Sequence, residues 1–131
     1  MTHQPDKYQA FKAKLAALKD EIAIVDTAYP ESARSARSHL KTHAALQNFF
    51  RTEILNQQDQ PDQGDRPHEQ QLNEQILVAQ YVEVNKQLRL LGADLNMLQA
   101  ARNPATFQQR KMQISDRLNT LIGMCNALMQ I

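Results

Sequence analysis

The chain is poor in cysteine, glycine and aromatic residues, and each shortage narrows the choice of fold. A single cysteine, Cys125, excludes an intramolecular disulfide, and its place in an apolar periodic run predicts a packed thiol in a reducing compartment. Three glycines and no tryptophan in 131 residues, with abundant alanine, leucine and glutamine, favour helix. We therefore expect one helical domain in the cytoplasm.

Long apolar runs and an excess of charge of one sign are also missing. No segment reaches the roughly 18 consecutive apolar residues that span a bilayer, and the first residues lack the apolar stretch of a secretory signal. Fifteen basic and fourteen acidic residues leave a formal charge of +1, which gives no general attraction to nucleic acid or membranes. These absences predict a protein that is neither exported nor embedded in a membrane.

Recognisable catalytic motifs are absent from the sequence. It contains no glycine-rich phosphate loop, no nucleophile elbow and no zinc-protease helix motif. Asp94 and Asp116 flank leucine-rich stripes, where we expect them at the solvent boundary. Because no set of side chains converges on a site, we expect a protein that is not an enzyme and needs no cofactor.

The sequence contains apolar residues spaced three and four positions apart, which is the repeat of one face of a helix. This spacing predicts helices at 5–28, 30–55, 68–102 and 104–130, with prolines at 5, 30 and 104 in first turns and Asn103 as a side-chain cap. The inward positions of the third helix are Leu77, Tyr81, Val84, Leu88, Leu91, Leu95 and Leu98. In the fourth helix only Lys111 interrupts the apolar stripe, and we expect its ammonium group to reach water.

Positions 56–67 contain no apolar residue, two prolines and a glycine, which is the composition of a flexible polar linker. The linker divides the chain into two helical hairpins that are too small for separate cores, so 1–131 is predicted to be one domain. One long and two short connections favour an all-α, antiparallel up-down-up-down four-helix bundle. The alternative is that the third helix pairs with its copy in another chain as a coiled coil and leaves the bundle partly formed.

The second hairpin carries more apolar residues than one core requires. Leu72, Ile76, Ala79 and Val82 lie away from the leucine stripe of the third helix, and the fourth helix adds Met112, Ile122, Met124 and Met129. Two interpretations remain open. Either wide apolar arcs are buried within the bundle, or the four residues of the third helix form the interface of a homodimer.

Two polar clusters on the second helix are candidate contact sites. Arg34, Arg37 and Lys41 form a basic stripe, which is usually a solvated face but also suits an acidic segment of a partner protein. His39 and His43 have the spacing of two ligands of one metal ion, but the Glu-x-x-His element of di-metal bundles is absent. We therefore predict a protein contact at the basic stripe and no metal site.

Three segments of the second half resemble a known family. The segments 86–94 (KQLRLLGAD), 98–102 (LQAAR) and 117–122 (RLNTLI) are similar to the C-terminal half of the cyanobacterial heterocyst-frequency control protein family, PatD, and Phe49-Phe50 before the linker fits as well. The resemblance implies a small cytoplasmic helical protein that binds the cell-division protein FtsZ, favours its assembly and affects how often cells differentiate into heterocysts.

Three functional hypotheses follow from these patterns. The first is a non-enzymatic regulator that binds FtsZ or a similar assembling protein, with charged faces that bridge filament subunits. The second is a nucleic-acid-associated regulator that uses the basic stripe, which the near-neutral net charge disfavours. The third is a helical bundle that binds a metal through His39 and His43.

Overall fold

A computed structural model of the chain describes residues 5–24, 30–55 and 68–130, and every regular element in these ranges is a helix. Helix α1 spans Pro5–Ala23, α2 Pro30–Phe49, α3 His68–Ala100 and α4 Pro104–Met129, while a π-helical turn at Phe50–Ile54 continues α2. The predicted all-helical class is confirmed. The predicted linker at 56–67 and the predicted end of the first helix at 25–28 lie outside the described residues.

Side chains form hydrogen bonds with backbone groups at two of the helix ends. The Oδ1 atom of Asn103 accepts the backbone N–H groups of Ala105, at 2.8 Å, and Thr106, at 3.3 Å, so the predicted cap of α4 is confirmed. The Nζ atom of Lys111, expected to reach water, also donates to the carbonyl oxygen of Ala23 at 3.2 Å in an exposed contact. Its positive charge therefore lies at the negative end of the α1 dipole and joins the end of α1 to the first turns of α4.

The apolar stripes of the helices meet in one core, and the inward positions predicted for α3 are all buried. In α2 the inward residue is His43 and not its neighbour Ala44, which is exposed. The side chains that have no exposed surface are Leu15, Leu18, Val84, Leu88, Leu91, Ile114, Leu118, Leu121 and Cys125. Among the side chains that the structure describes, those without exposed surface come from α1, α3 and α4, and these helices supply the centre of the core.

Each helix packs against two others, since α1 and α3 both contact α2 and α4. Aromatic side chains add a contact across the middle. The ring of Phe50 stacks on Phe11, with centroids 5.6 Å apart, and meets Tyr81 edge-on at 6.0 Å. The hydroxyl groups of Tyr8 and Tyr81 share a buried hydrogen bond. This aromatic cluster ties α1, the end of α2 and the first half of α3 together.

The π-helical turn has a physical reason in the spacing of the apolar residues. Leu46, Phe50 and Ile54 are buried and lie four residues apart in succession, so on a regular α-helix each would be rotated about 40° from the previous one. A turn closed by i→i+5 bonds holds more residues and rotates less per residue, so it turns Ile54 back towards the direction of Leu46. The wider turn therefore keeps Phe50 and Ile54 directed at the same core.

Helices α2 and α3 approach each other closely at Gly92. The Nε2 atom of His43 donates a hydrogen bond of 2.6 Å to the carbonyl oxygen of Leu88, one turn before Gly92 on α3. A Cβ atom added at Gly92 would lie 2.6 Å from Cε1 of His43. Glycine at this position thus leaves the Leu88 carbonyl open to the imidazole ring, which a larger residue would displace.

The two described helical glycines give a matched test of this packing. We expect Gly92→Ala to lower the free energy of unfolding by about 1–3 kcal/mol, because the methyl group and the His43 ring overlap and the ring is held by its hydrogen bond. Gly123→Ala should instead raise it by about 0.5–1 kcal/mol, since no atom lies within 4 Å of the added Cβ and alanine favours helix. Urea unfolding followed by circular dichroism measures both. Equal effects at the two positions would contradict the close approach.

Candidate functional site

A polar seam joins α3 to α4 beside the core. The Nε atom of Arg117 contacts Oδ2 of Asp94 at 2.6 Å, and its Nη1 atom donates to Oε1 of Gln87 at 2.7 Å. Gln87 in turn donates through Nε2 to Oε2 of Glu83 at 3.0 Å. Asp94, expected at the solvent boundary, is instead buried and paired, whereas Asp116 is exposed as predicted.

An open groove of about 580 Å³ runs along this seam on the outside of α3 and α4. Met97 and Thr120 line it together with Arg117 and Asp94. A second basic residue at the groove, Arg110, donates from Nη1 to Oε1 of Gln113 at 3.1 Å. Because the Arg117 and Asp94 charges neutralise each other, the seam fixes the two helices and does not offer an isolated acid or base.

The two histidines of α2 both point inward, but they lie in different surroundings. His43 is bound to the Leu88 carbonyl, whereas the Nδ1 atom of His39 is buried without a hydrogen-bond partner. Burial lowers the pKa of His39 below its ordinary value of 6.5, and the carboxylate of Glu21 on α1 partly opposes this shift. His39 is therefore a neutral core residue at neutral pH.

No described residues form the donor set of a metal site. Among the residues whose side chains the structure describes, there is no group of three or more histidine, cysteine, aspartate or glutamate side chains placed to hold a metal ion. His43 also uses its Nε2 atom for the Leu88 carbonyl. The hypothesis of a metal bound through His39 and His43 gains no third ligand from the structure.

A cluster of ionisable groups lies in the core near the start of α1. Burial raises the pKa of Tyr8 and of Tyr81, and burial raises the pKa of Cys125 to about 12. A thiol with such a pKa is protonated at neutral pH and is a poor nucleophile. The prediction that Cys125 is a packed thiol is confirmed, because its side chain is fully buried.

The four residues predicted as a dimer interface, Leu72, Ile76, Ala79 and Val82, are all exposed on α3. The additional apolar residues of α4 differ in how much they are exposed. Met112 is exposed, but Ile122, Met124 and Met129 pack partly buried against the core. The unburied apolar surface of the second hairpin therefore belongs mainly to α3.

The basic stripe is described only in part. Lys41 is exposed on α2, midway between the buried His39 and His43 on the opposite side of the helix. Positions 34 and 37 belong to α2, but the side chains of Arg34 and Arg37 lie outside the described residues. The basic stripe therefore remains a prediction from the sequence. Of its three side chains, the structure describes that of Lys41.

The structure also contains contacts that the sequence pattern did not predict. The His43 contact at Gly92 and the Arg117–Asp94 pair join residues 49 and 23 positions apart. The one sequence signal for the first contact was a glycine within a leucine-rich helix, which marks a close approach of backbone.

Comparisons with known proteins give no relative for this chain. Family models, curated proteins and solved structures were all searched, and none matches. Among the described helices, none has the length and apolar content needed to cross a membrane.

The lowered pKa of His39 makes stability depend on pH. The unfolded chain binds a proton near pH 6.5 and the folded chain only at lower pH, so the free energy of unfolding should fall as pH drops through 6.5 and level off below the folded pKa. His39→Leu should reduce this fall, because leucine cannot bind a proton. Urea unfolding of both proteins above and below pH 6.5 measures the difference. The same loss of stability in both proteins would show that His39 is not responsible.

Proposed function

We propose that this chain is a non-enzymatic regulatory protein of the cytoplasm that binds the cell-division protein FtsZ and promotes its assembly. Its role would be the control of division and of heterocyst frequency in a cyanobacterium. The proposal starts from the resemblance of segments 86–94, 98–102 and 117–122 to the PatD family. FtsZ is the assembling partner that this resemblance implies.

The contacts among these segments are the observation that supports the proposal most directly. Arg117, in the third segment, binds Asp94 and Gln87 in the first. Leu98 of the second segment and Leu118 of the third are buried in the same core. The first and third segments therefore meet in the seam between α3 and α4, and the second contributes to the same core, so the resemblance covers a structural unit.

We further propose that the four helices form an antiparallel up-down-up-down bundle. The bond from Lys111 at the start of α4 to Ala23 at the end of α1 is compatible with opposite directions for these two helices. The short connection between α3 and α4 at 101–103 favours the same arrangement for that pair. Such a scaffold holds its exposed charges in fixed positions, as a contact with a filament requires.

The basic stripe is the surface that we propose for the partner. Positions 34, 37 and 41 recur at intervals of three and four on α2, so they share one side of the helix. Lys41 is exposed, and its side lies opposite the buried histidines. Cationic groups in this arrangement fit an acidic segment of FtsZ and would speed the encounter with it.

Co-sedimentation tests the proposed function. We expect the fraction of GTP-polymerised FtsZ in the pellet to rise as this protein is added, and the protein itself to appear in the pellet only when FtsZ is present. Bovine serum albumin at equal concentration controls for crowding. Unchanged pelleting across the concentration series would reject FtsZ as the partner.

A triple reversal, Arg34→Glu, Arg37→Glu and Lys41→Glu, tests the contact surface. Each reversal changes the formal charge by two, so the variant carries −5 in place of +1. Repulsion from an acidic segment should weaken binding about tenfold or more, equal to about 1.4 kcal/mol, and fluorescence anisotropy with labelled FtsZ measures it.

The matched control for this variant reverses Lys7, Arg89 and Arg102, which lie outside α2 and give the same total charge. Circular dichroism checks that both variants keep their helicity. If the two triple variants bind FtsZ with equal affinity, the basic stripe is not the contact surface, and equally weakened binding would be an effect of net charge.

A further inference from the structure

Helix α3 carries a second row of positions in four-three spacing on its outer side. The inner row, from Leu77 to Leu98, is buried in the core. The outer row begins at position 72 and ends at 97, and its apolar members are Leu72, Ile76, Ala79, Leu90, Ala93 and Met97. Its two central members are Glu83 and Lys86. We call these eight positions the outer row.

Seven of the eight outer-row positions are exposed, and the eighth, Glu83, is half-buried. Leu72 is 45% exposed, Ile76 48%, Leu90 37% and Met97 45%, and Ala79, Lys86 and Ala93 are exposed as well. The row extends about 38 Å at 1.5 Å per residue, with three apolar positions on each side of its charged centre. Apolar residues in four-three order, with a polar or charged residue at an occasional position, are the pattern of a helix that packs against another helix.

The outer row differs from the sequence prediction at one position. Val82 is 65% exposed but lies three residues after Ala79, where the alternation requires position 83. On the helix it is rotated about 100° from Glu83 and so lies on another side of α3. Leu90, Ala93 and Met97 extend the row instead, which more than doubles its length from Leu72.

The outer row is complementary to itself under a twofold rotation. Its midpoint lies between positions 84 and 85, and an antiparallel copy centred there sets Glu83 opposite the partner's Lys86 and Lys86 opposite the partner's Glu83. Both central contacts then join opposite charges. A parallel copy would instead set Glu83 against the partner's Glu83 and lysine against lysine, which is unfavourable.

The sizes of the apolar residues show the same symmetry. In the antiparallel pairing Ala79 faces the partner's Leu90, and Ile76 faces the partner's Ala93. Small side chains thus meet large ones, as interdigitated helix packing requires. The outermost pair joins Leu72 to the partner's Met97, a flexible side chain that adapts to its neighbour.

We propose that two copies of this chain form a dimer through the outer rows of their α3 helices, antiparallel and related by a twofold axis between positions 84 and 85. Glu83 and Lys86 fix the register, because a shift by one heptad would bring each charge against an apolar residue. Gln87 donates a hydrogen bond of 3.0 Å to the Glu83 carboxylate, which limits the positions that this side chain can take. The dimer does not depend on whether FtsZ is the protein's partner.

Charge reversal tests the pairing. The wild type should have the mass of a dimer in sedimentation velocity, while Glu83→Lys alone and Lys86→Glu alone should each raise the dissociation constant about tenfold or more, because both central contacts become repulsive. The double variant with both changes should regain the dimer. A mixture of the two single variants should form a heterodimer, since every central contact then joins opposite charges.

Each result has a counterpart that contradicts the proposal. A wild type that stays monomeric at the highest attainable concentration would overturn the dimer. Single variants that dimerise like the wild type would place the interface elsewhere. Two single variants that remain monomeric when mixed, with helicity intact by circular dichroism, would exclude the contact between Glu83 and the partner's Lys86.

Cysteine cross-linking tests the direction independently. A chain with both Ala79→Cys and Leu90→Cys should form a covalent dimer on oxidation, because each new thiol faces the other kind in the partner. Each single variant is the control, since two copies of position 79, or of position 90, are about 16 Å apart along the axis. The native Cys125 is buried and does not compete. Equal cross-linking by the single variants would exclude the antiparallel register.

Discussion

The other features of this protein depend on the angle at which α3 is held about its own axis, because this angle decides which of its side chains face the core. Its inner row is enclosed by the core, and Val84, Leu88 and Leu91 have no exposed surface. On one flank His43 binds the Leu88 carbonyl, and on the other Arg117 holds Asp94. Any rotation of α3 would break a buried hydrogen bond or separate a partly buried ion pair. The direction of its outer side follows from these contacts.

Apolar burial and polar contacts have different roles in this arrangement. Leucine rows supply most of the driving force, but apolar contact has no direction and tolerates small rotations and shifts. Hydrogen bonds require defined distances and angles, so the His43 and Arg117 contacts restrict the register of α3 more sharply than apolar contact does. An ion pair of this kind adds little net stability, whereas one partner left alone would be costly.

The inward rows were predictable from sequence because they depend only on local spacing. The prediction succeeded at Leu77 through Leu98, and Asn103 was recognised as a cap because its partners are two and three residues away. Local spacing did not predict the surroundings of a side chain where a residue distant in the sequence determines them. Asp94 was expected at the solvent boundary, but Arg117 covers it, and the bond of Lys111 to the end of α1 was not predicted.

The candidate surfaces also combine features that local spacing predicts with features that it does not. That Leu72, Ile76 and Ala79 lie outside the leucine row was readable from helical periodicity, and the structure has them exposed. Their continuation to Leu90 and Met97 passes through Glu83 and Lys86, which a search for apolar residues alone does not include. His43 was read as a metal ligand candidate because the sequence does not reveal that the Leu88 carbonyl lies opposite it.

The hydrogen bond between Tyr8 and Tyr81 lets the absorbance and emission of tyrosine report on the contact between α1 and α3. The chain has no tryptophan and only three tyrosines, so its near-ultraviolet absorbance and emission come chiefly from tyrosine, and two of the three report the contact between α1 and α3. Burial raises the pKa of both phenols, so the folded chain resists their ionisation at alkaline pH. Above pH 10, where unfolded tyrosine loses its proton, the appearance of phenolate absorbance from this pair is coupled to separation of the two helices.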